Sequence, residues 1–215
     1  MIYEVLRLLG LVLGYPLQLL FFKRRTYYED GARRPHRFQG GKLVIMNHFN
    51  MFDYVLTSFI VFPRKLNVVA SEDAFRNKFL RFGVRFFGAI QCNRNTRSMR
   101  FMDESATVIR SGQLVQIYPE GRNTPDGKIH EFKKSYLVIA HRAHAPIVPI
   151  VTDGRYGVWK RTGVLIGNEI DLSPFFAPER RTPTREELER ANDYVFNKML
   201  ELREELERRK KGGVK

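Results

Sequence analysis

Only one cysteine, Cys92, occurs in the 215 residues. That excludes an internal disulfide and any multi-cysteine metal site, and it fits a reducing compartment. Acidic residues are also scarce, 23 against 37 Lys and Arg, which leaves a net charge of +14. A surplus of that size calls for an anionic partner: nucleic acid, an anionic lipid surface or a phosphorylated substrate. Internal repeats, low-complexity linkers and a break between two folded domains are missing as well. With 43% hydrophobic and 28% charged residues, the composition excludes both a disordered chain and a polytopic membrane protein.

Long apolar runs are lacking too. Leu8 to Phe22 (LLGLVLGYPLQLLFF) carries no charge but falls short of the ~20 residues that span a bilayer, and Pro16 breaks or kinks a helix there. A secretory signal places its positive charge first and ends in small residues. Here Glu4 and Arg7 stand at the start, and Lys23, Arg24 and Arg25 follow the apolar run, so the segment reads as retained. The expectation is a membrane-associated N-terminal segment over residues 1–25, with a domain over 26–215. One or two short helices would lie in the cytoplasmic face of the cell membrane, the basic cluster among anionic headgroups. The competing reading is a core helix packed on the domain.

What is present alternates. Leu43–Met46, Leu66–Ala70, Leu114–Tyr118, Ile147–Val151 and Val164–Ile166 read as strands; Phe52–Phe62, Asp73–Phe87 and Ser135–His144 read as helices. Pro149 predicts a bulged or edge position for its strand. From Thr184 onward the chain reads as an amphipathic helix. Thr184 and Glu187 have capping-box spacing, Leu188, Ala191, Val195, Met199, Leu202 and Leu206 form one stripe, and the Arg208–Lys211 tail is expected to be solvated. The pattern predicts a single α/β domain with a mostly parallel sheet flanked by helices. Ligands of such sheets bind beyond the strands' carboxyl ends. Asn47-His48 and Pro119-Glu120-Gly121 fall there.

His48 precedes Asp53 by five residues. On a continuous helix that spacing separates side chains, but at a strand-to-helix corner the two can meet. A carboxylate then holds the imidazole tautomer while the histidine takes a proton from a hydroxyl. Read alone, the pair is better accounted for by a surface histidine and a capping aspartate.

Other segments occur in a telling order. NHFNMFD at Asn47–Asp53, GAIQCNR at Gly88–Arg94, YPEGRNT at Tyr118–Thr124 and VPI at Val148–Ile150 together resemble the lysophosphatidate (1-acylglycerol-3-phosphate) acyltransferase family. The resemblance runs over residues 40 to 155. It implies a membrane enzyme of phospholipid biosynthesis that moves a fatty acyl group from acyl-CoA or acyl-acyl carrier protein to a lysophospholipid hydroxyl, 1-acylglycerol 3-phosphate first among acceptors. His48 would be the base and Asp53 its orienter. Glu120 and Gly121 would shape the acceptor site, and Arg94 and Arg122 would bind its phosphate. The acyl thioester would be a co-substrate, with no cofactor and no metal.

The chain departs from the family at two places, and the first, in the third motif, bears on the acceptor; no role is assigned to the second. Where the family has Thr then Arg after Glu-Gly, this chain has Arg122 then Asn123, so Lys133 or Lys134 could share the phosphate. The family's aspartate before the second-motif arginine is Asn93 here. The acceptor could therefore be glycerol 3-phosphate or another lysolipid. The reading from a different class is a non-catalytic basic protein that binds membrane or nucleic acid. Basic residues alternate with aromatics from Phe75 to Arg100, as on single-strand-binding surfaces. The apolar N-terminal segment favours a lipid partner over nucleic acid.

Overall fold

The computed structural model describes residues 23–30, 38–76, 88–92, 99–177 and 182–212, with positions 5, 6, 9, 10, 12–14, 16 and 18 near the N-terminus. Seven strands form one sheet: β1 (Arg24–Tyr28), β2 (Lys42–Met46), β3 (Leu66–Ser71), β4 (Ala89–Cys92), β5 (Leu114–Ile117), β6 (Ile147–Thr152) and β7 (Thr162–Ile166), in the order β1-β7-β6-β2-β5-β3-β4. Five neighbouring pairs are parallel; β7 runs antiparallel to β6, and β1 follows β7. The fold class expected from the alternation of elements is the one observed.

The central strands read as unbroken apolar runs because both faces are covered. Leu43, Ile45, Val115, Ile117, Ile147 and Val151 point to one side. There they pack with α3 (Arg100–Arg110), α4 (Ser135–Ala143) and the long α5 (Arg185–Gly212). Val44, Met46, Leu114, Val148 and Ile150 point to the other, against Tyr54, Leu56 and Val61 of α1 (Phe52–Val61). Each fully buried Leu or Ile contributes ~1.5–3 kcal/mol, so this three-layer core holds the strand ends still beneath the loops that follow them. The short α2 (Glu72–Arg76) begins the expected helix after β3; residues 77–87 of that expectation lie outside the described residues.

Three expectations need correction. The strand bearing Pro149 is neither bulged nor at an edge: β6 lies between β2 and β7, buried along its whole length. Its proline is tolerated because the peptide side of Pro149 faces the last residues of β7. There only its carbonyl is used, accepting from Gly167 N at 2.9 Å. The basic C-terminal residues are not a loose tail. α5 continues to Gly212, with Arg209 donating to the carbonyls of Tyr28 (2.8 Å) and Glu29 (3.0 Å) and Lys210 paired with Asp153 at 2.8 Å. Arg24 and Arg25, taken as headgroup contacts, belong to β1, where Arg24 donates to Gln18 Oε1 at 2.7 Å. Most of Leu8–Phe22 lies outside the described residues. Among those described, no helix is long and apolar enough to cross a membrane.

Candidate active site

β2 ends at Met46, and the chain turns through Asn47–Met51 before α1 begins. Asn47 fixes the first step of that turn. Its amide donates to Thr152 O at 3.0 Å and accepts from Thr152 N at 2.9 Å, tying the carboxyl ends of β2 and β6 together. The next residues fold around the carboxylate of Asp53, on the first turn of α1. Its Oδ2 accepts from Phe49 N (2.7 Å), Asn50 N (2.8 Å) and the His48 ring at Nδ1 (2.9 Å). Its Oδ1 accepts a short hydrogen bond from the Tyr156 hydroxyl. The Asp53 side chain is wholly buried, while that of His48 keeps 17% of its surface in solvent.

Both Asp53 oxygens accept from other donors, so the contact suits an Nδ1 that donates to the carboxylate, with Nε2 on the far side of the ring. The five-residue spacing works because a corner, not a helix, separates the pair. Tyr118 stacks on the imidazole, ring centroids 3.8 Å apart and planes at 13°. Burial and the neighbouring Asp53 carboxylate push the Tyr118 phenol far above its ordinary range, so it stays neutral beside the dyad.

The loop after β5 completes the wall. Gly121 N closes a turn onto Tyr118 O at 3.0 Å, with Gly121 at φ +65°, a conformation glycine adopts at no steric cost. Glu120 is buried and accepts from His48 N (3.3 Å) and His130 N (3.1 Å). Burial raises its carboxyl above the usual value, while those backbone donors and Thr124 pull it back. Thr124 returns the contact, its N (2.7 Å) and Oγ1 (3.0 Å) both donating to His48 O. Glu120 thus holds the turn that bears His48 in place through its backbone.

The structure brings together His48, Asp53, Glu120 and Gly121. Arg122 is exposed on the same loop, and Arg94 lies outside the described residues. Of the two lysines left open, Lys134 is paired with Glu189 on α5 at 2.9 Å. Lys133 instead lies over Gly121, its side chain 3.1 Å from where a Cβ would stand. Tyr156 and the stacking of Tyr118 are not among the residues expected from the sequence; Asp153-Gly154-Arg155-Tyr156 follows β6 as the Asn47 and Pro119 clusters follow β2 and β5, but its contact with Asp53 depends on the strand order.

A histidine whose Nδ1 meets a buried carboxylate, with no serine or cysteine among the described side chains hydrogen-bonded to the pair, defines a class. It is an α/β domain with a histidine–aspartate pair at the carboxyl end of its central strands. The chain belongs to the acyltransferase family, whose model, described as Acyltransferase, matches residues 24–153. A putative 1-acyl-sn-glycerol-3-phosphate acyltransferase of Caenorhabditis elegans is 28% identical over 63% of this chain and 51% of its own length. A 1-acyl-sn-glycerol-3-phosphate acyltransferase of Cocos nucifera is 24% identical over 71% of this chain and 50% of its own. The chain therefore spans about half the length of these relatives. The crystal structure of PlsC, the 1-acyl-sn-glycerophosphate acyltransferase of Thermotoga maritima, superposes with a TM-score of 0.61 at 18% identity, covering 96% of this chain and 79% of that one. That likeness is one of fold.

Proposed function

We propose that this chain is an O-acyltransferase that acylates the free hydroxyl of a lysophospholipid, with 1-acylglycerol 3-phosphate as acceptor and acyl-CoA or acyl-acyl carrier protein as donor. His48 Nε2 takes the hydroxyl proton as the oxygen attacks the thioester carbonyl carbon. The tetrahedral oxyanion collapses, the C–S bond breaks, and the departing sulfur takes the proton back from His48. Asp53 stabilises the imidazolium between the two transfers. The sequence of steps is balanced without a cofactor or metal.

The observation that carries this reading is the 2.9 Å contact between His48 Nδ1 and an Asp53 carboxylate held by backbone N–H groups and Tyr156. Lys133, beside Gly121, and Arg122 would meet the acceptor's phosphate, with Arg94 as a third cation. A cavity of about 530 Å³, lined by Arg24, Thr26 and Tyr28 of β1, by Phe59, Ile60 and Phe62 and by Val12 and Pro16, has the volume to take part of a fatty chain. We place the enzyme at the cytoplasmic face of the membrane, with the apolar residues preceding β1 as its anchor and an anionic bilayer as its surface.

The test uses lysophosphatidate and an acyl thioester, with release of free thiol as the readout. Wild type should release thiol, and His48→Ala should abolish that release while its circular dichroism is unchanged. Undiminished turnover in the variant would remove His48 as the base. Glycerol 3-phosphate and other lysolipids assayed with one donor separate the acceptors.

A further inference from the structure

The loop joining β6 to β7, Gly154–Arg161, stands at the same end of the sheet as His48. Its base is fixed: Tyr156 bonds Asp53, Arg155 N donates to Asp153 Oδ1 at 3.1 Å, and Thr162 Oγ1 donates to Arg155 O at 2.7 Å. Its tip is a closed turn, with Lys160 N donating to Gly157 O at 3.1 Å. On that turn Trp159 is 95% exposed, next to exposed Val158. Arg155, Lys160 and Arg161 surround it, all exposed and without an acidic partner among the described residues; the stretch from Gly154 to Asn168 contains no Asp or Glu. The corner bearing the dyad adds Met51 and Phe52, 62% and 46% exposed, with the Phe52 ring 6.0 Å from that of Tyr156.

We propose that the Gly154–Arg161 loop is a membrane-docking surface: the Trp159 indole inserts at headgroup depth in an anionic bilayer, Arg155, Lys160 and Arg161 meet the lipid phosphates, and the mouth beside His48 faces the lipid. A closed turn presenting one indole, an aliphatic neighbour and cations without an acidic partner among the described residues matches what an interface asks of a protein: an amphipathic ring between water and acyl chains, with positive charge at the headgroups. The chain's direction agrees. β1 pairs in parallel with β7, Arg24 opposite Thr162, so residues preceding β1 leave from the same rim as the loop. Exposed Val5, Leu6, Leu9 and Leu13 belong to that preceding stretch. The inference rests on the proposed lipid acceptor only for its purpose; the docking itself can be read without turnover.

Trp159 is the chain's single tryptophan, so the emission of the full-length protein reports on this position alone. With vesicles of phosphatidylcholine containing a quarter phosphatidylglycerol, the emission should move to the blue and be quenched by lipids brominated near the headgroup. Vesicle affinity should fall roughly tenfold in Trp159→Ala. The same variant should lose turnover of vesicle-borne lysophosphatidate but keep wild-type turnover of a short-chain lysophosphatidate dissolved as monomers. Sedimentation with vesicles at unchanged emission, no vesicle binding at all, or an emission shift with acidic carrier protein and none with vesicles would each overturn the proposal. A full emission response from a protein that acylates no acceptor would leave the surface standing and sink the acyltransferase reading.

Discussion

Asp53 accepts four hydrogen bonds through its two oxygens, and this decides how the site works at the scale of single residues. A buried carboxylate with fewer donors would be costly to keep ionised; this one is pinned as an acceptor, and the imidazole has one orientation in which to meet it. Tyr156 is the donor whose loss can be tested most cleanly. Tyr156→Phe removes one charge-assisted hydrogen bond without opening a cavity. It should cost about 1.5–3 kcal/mol of stability in urea unfolding. It should also lower kcat about tenfold with KM unchanged, the signature of an interaction that serves the transition state. A rise in KM alone would assign Tyr156 to acceptor binding instead. That His48 and Asp53 would meet was legible only with the accompanying motif blocks, because a bare five-residue spacing suits a surface histidine and a capping aspartate as well. Tyr156 lies 103 positions beyond Asp53, and only the β6–β2 pairing brings it home. The stacking of Tyr118 on His48 was hidden for a related reason: a ring one residue past a strand has no signature until the facing strand is placed.

At the scale of elements, the site is three strand-end loops wedged against each other. Glycine fits where they touch. Gly154 has φ +65°, and a Cβ there would run into the Phe49 ring of the catalytic loop. Gly112 is also left-handed, at φ +85°, but has open space around it. Gly154→Ala should therefore cost roughly 1–3 kcal/mol from backbone strain alone, with the Phe49 clash added, and should depress acyl transfer strongly. Gly112→Ala should show the strain and leave turnover intact. Thermal unfolding and thiol release on the pair separate the two effects; equal losses of activity would show that loop contact at Phe49 is not what matters. The central elements were readable because strands buried on both faces appear as short apolar runs. β1 was not, since Arg-Arg-Thr-Tyr-Tyr carries its apolar share in tyrosines and reads as a charge cluster. α3 also escaped, although Met102, Ser105, Ala106 and Ile109 are buried at the i, i+3, i+4, i+7 spacing of a helix face, a stripe the sequence does carry. Pro149 misled because the rule about strand proline concerns the missing N–H, and here that N–H would have pointed past the end of the neighbouring strand.

For the molecule as a whole, α5 acts as a clamp. Its apolar stripe packs on β6 and β7, its capping box is closed by Thr184 N to Glu187 Oε2 (2.7 Å) and Glu187 N to Thr184 Oγ1 (3.2 Å), and its last turns reach β1 and Asp153. Asp153 is nearly inaccessible, and Lys210 is its counter-charge. Lys210→Met should cost roughly 1–3 kcal/mol, less than the ~3–5 of a fully buried pair because the lysine still touches water. The loss should appear as a lowered Tm, and an unchanged Tm would show that the N–H groups of Arg155 and Gly163 suffice for the carboxylate. The reversed direction of the two outer strands has a temporal consequence. During synthesis β1 leaves the ribosome long before β7, its sheet neighbour among the described residues, and before the helix that latches it. For that interval the growing chain carries a strand without its partner, and this edge of the sheet closes only once β7 and the last turns of α5 have been made.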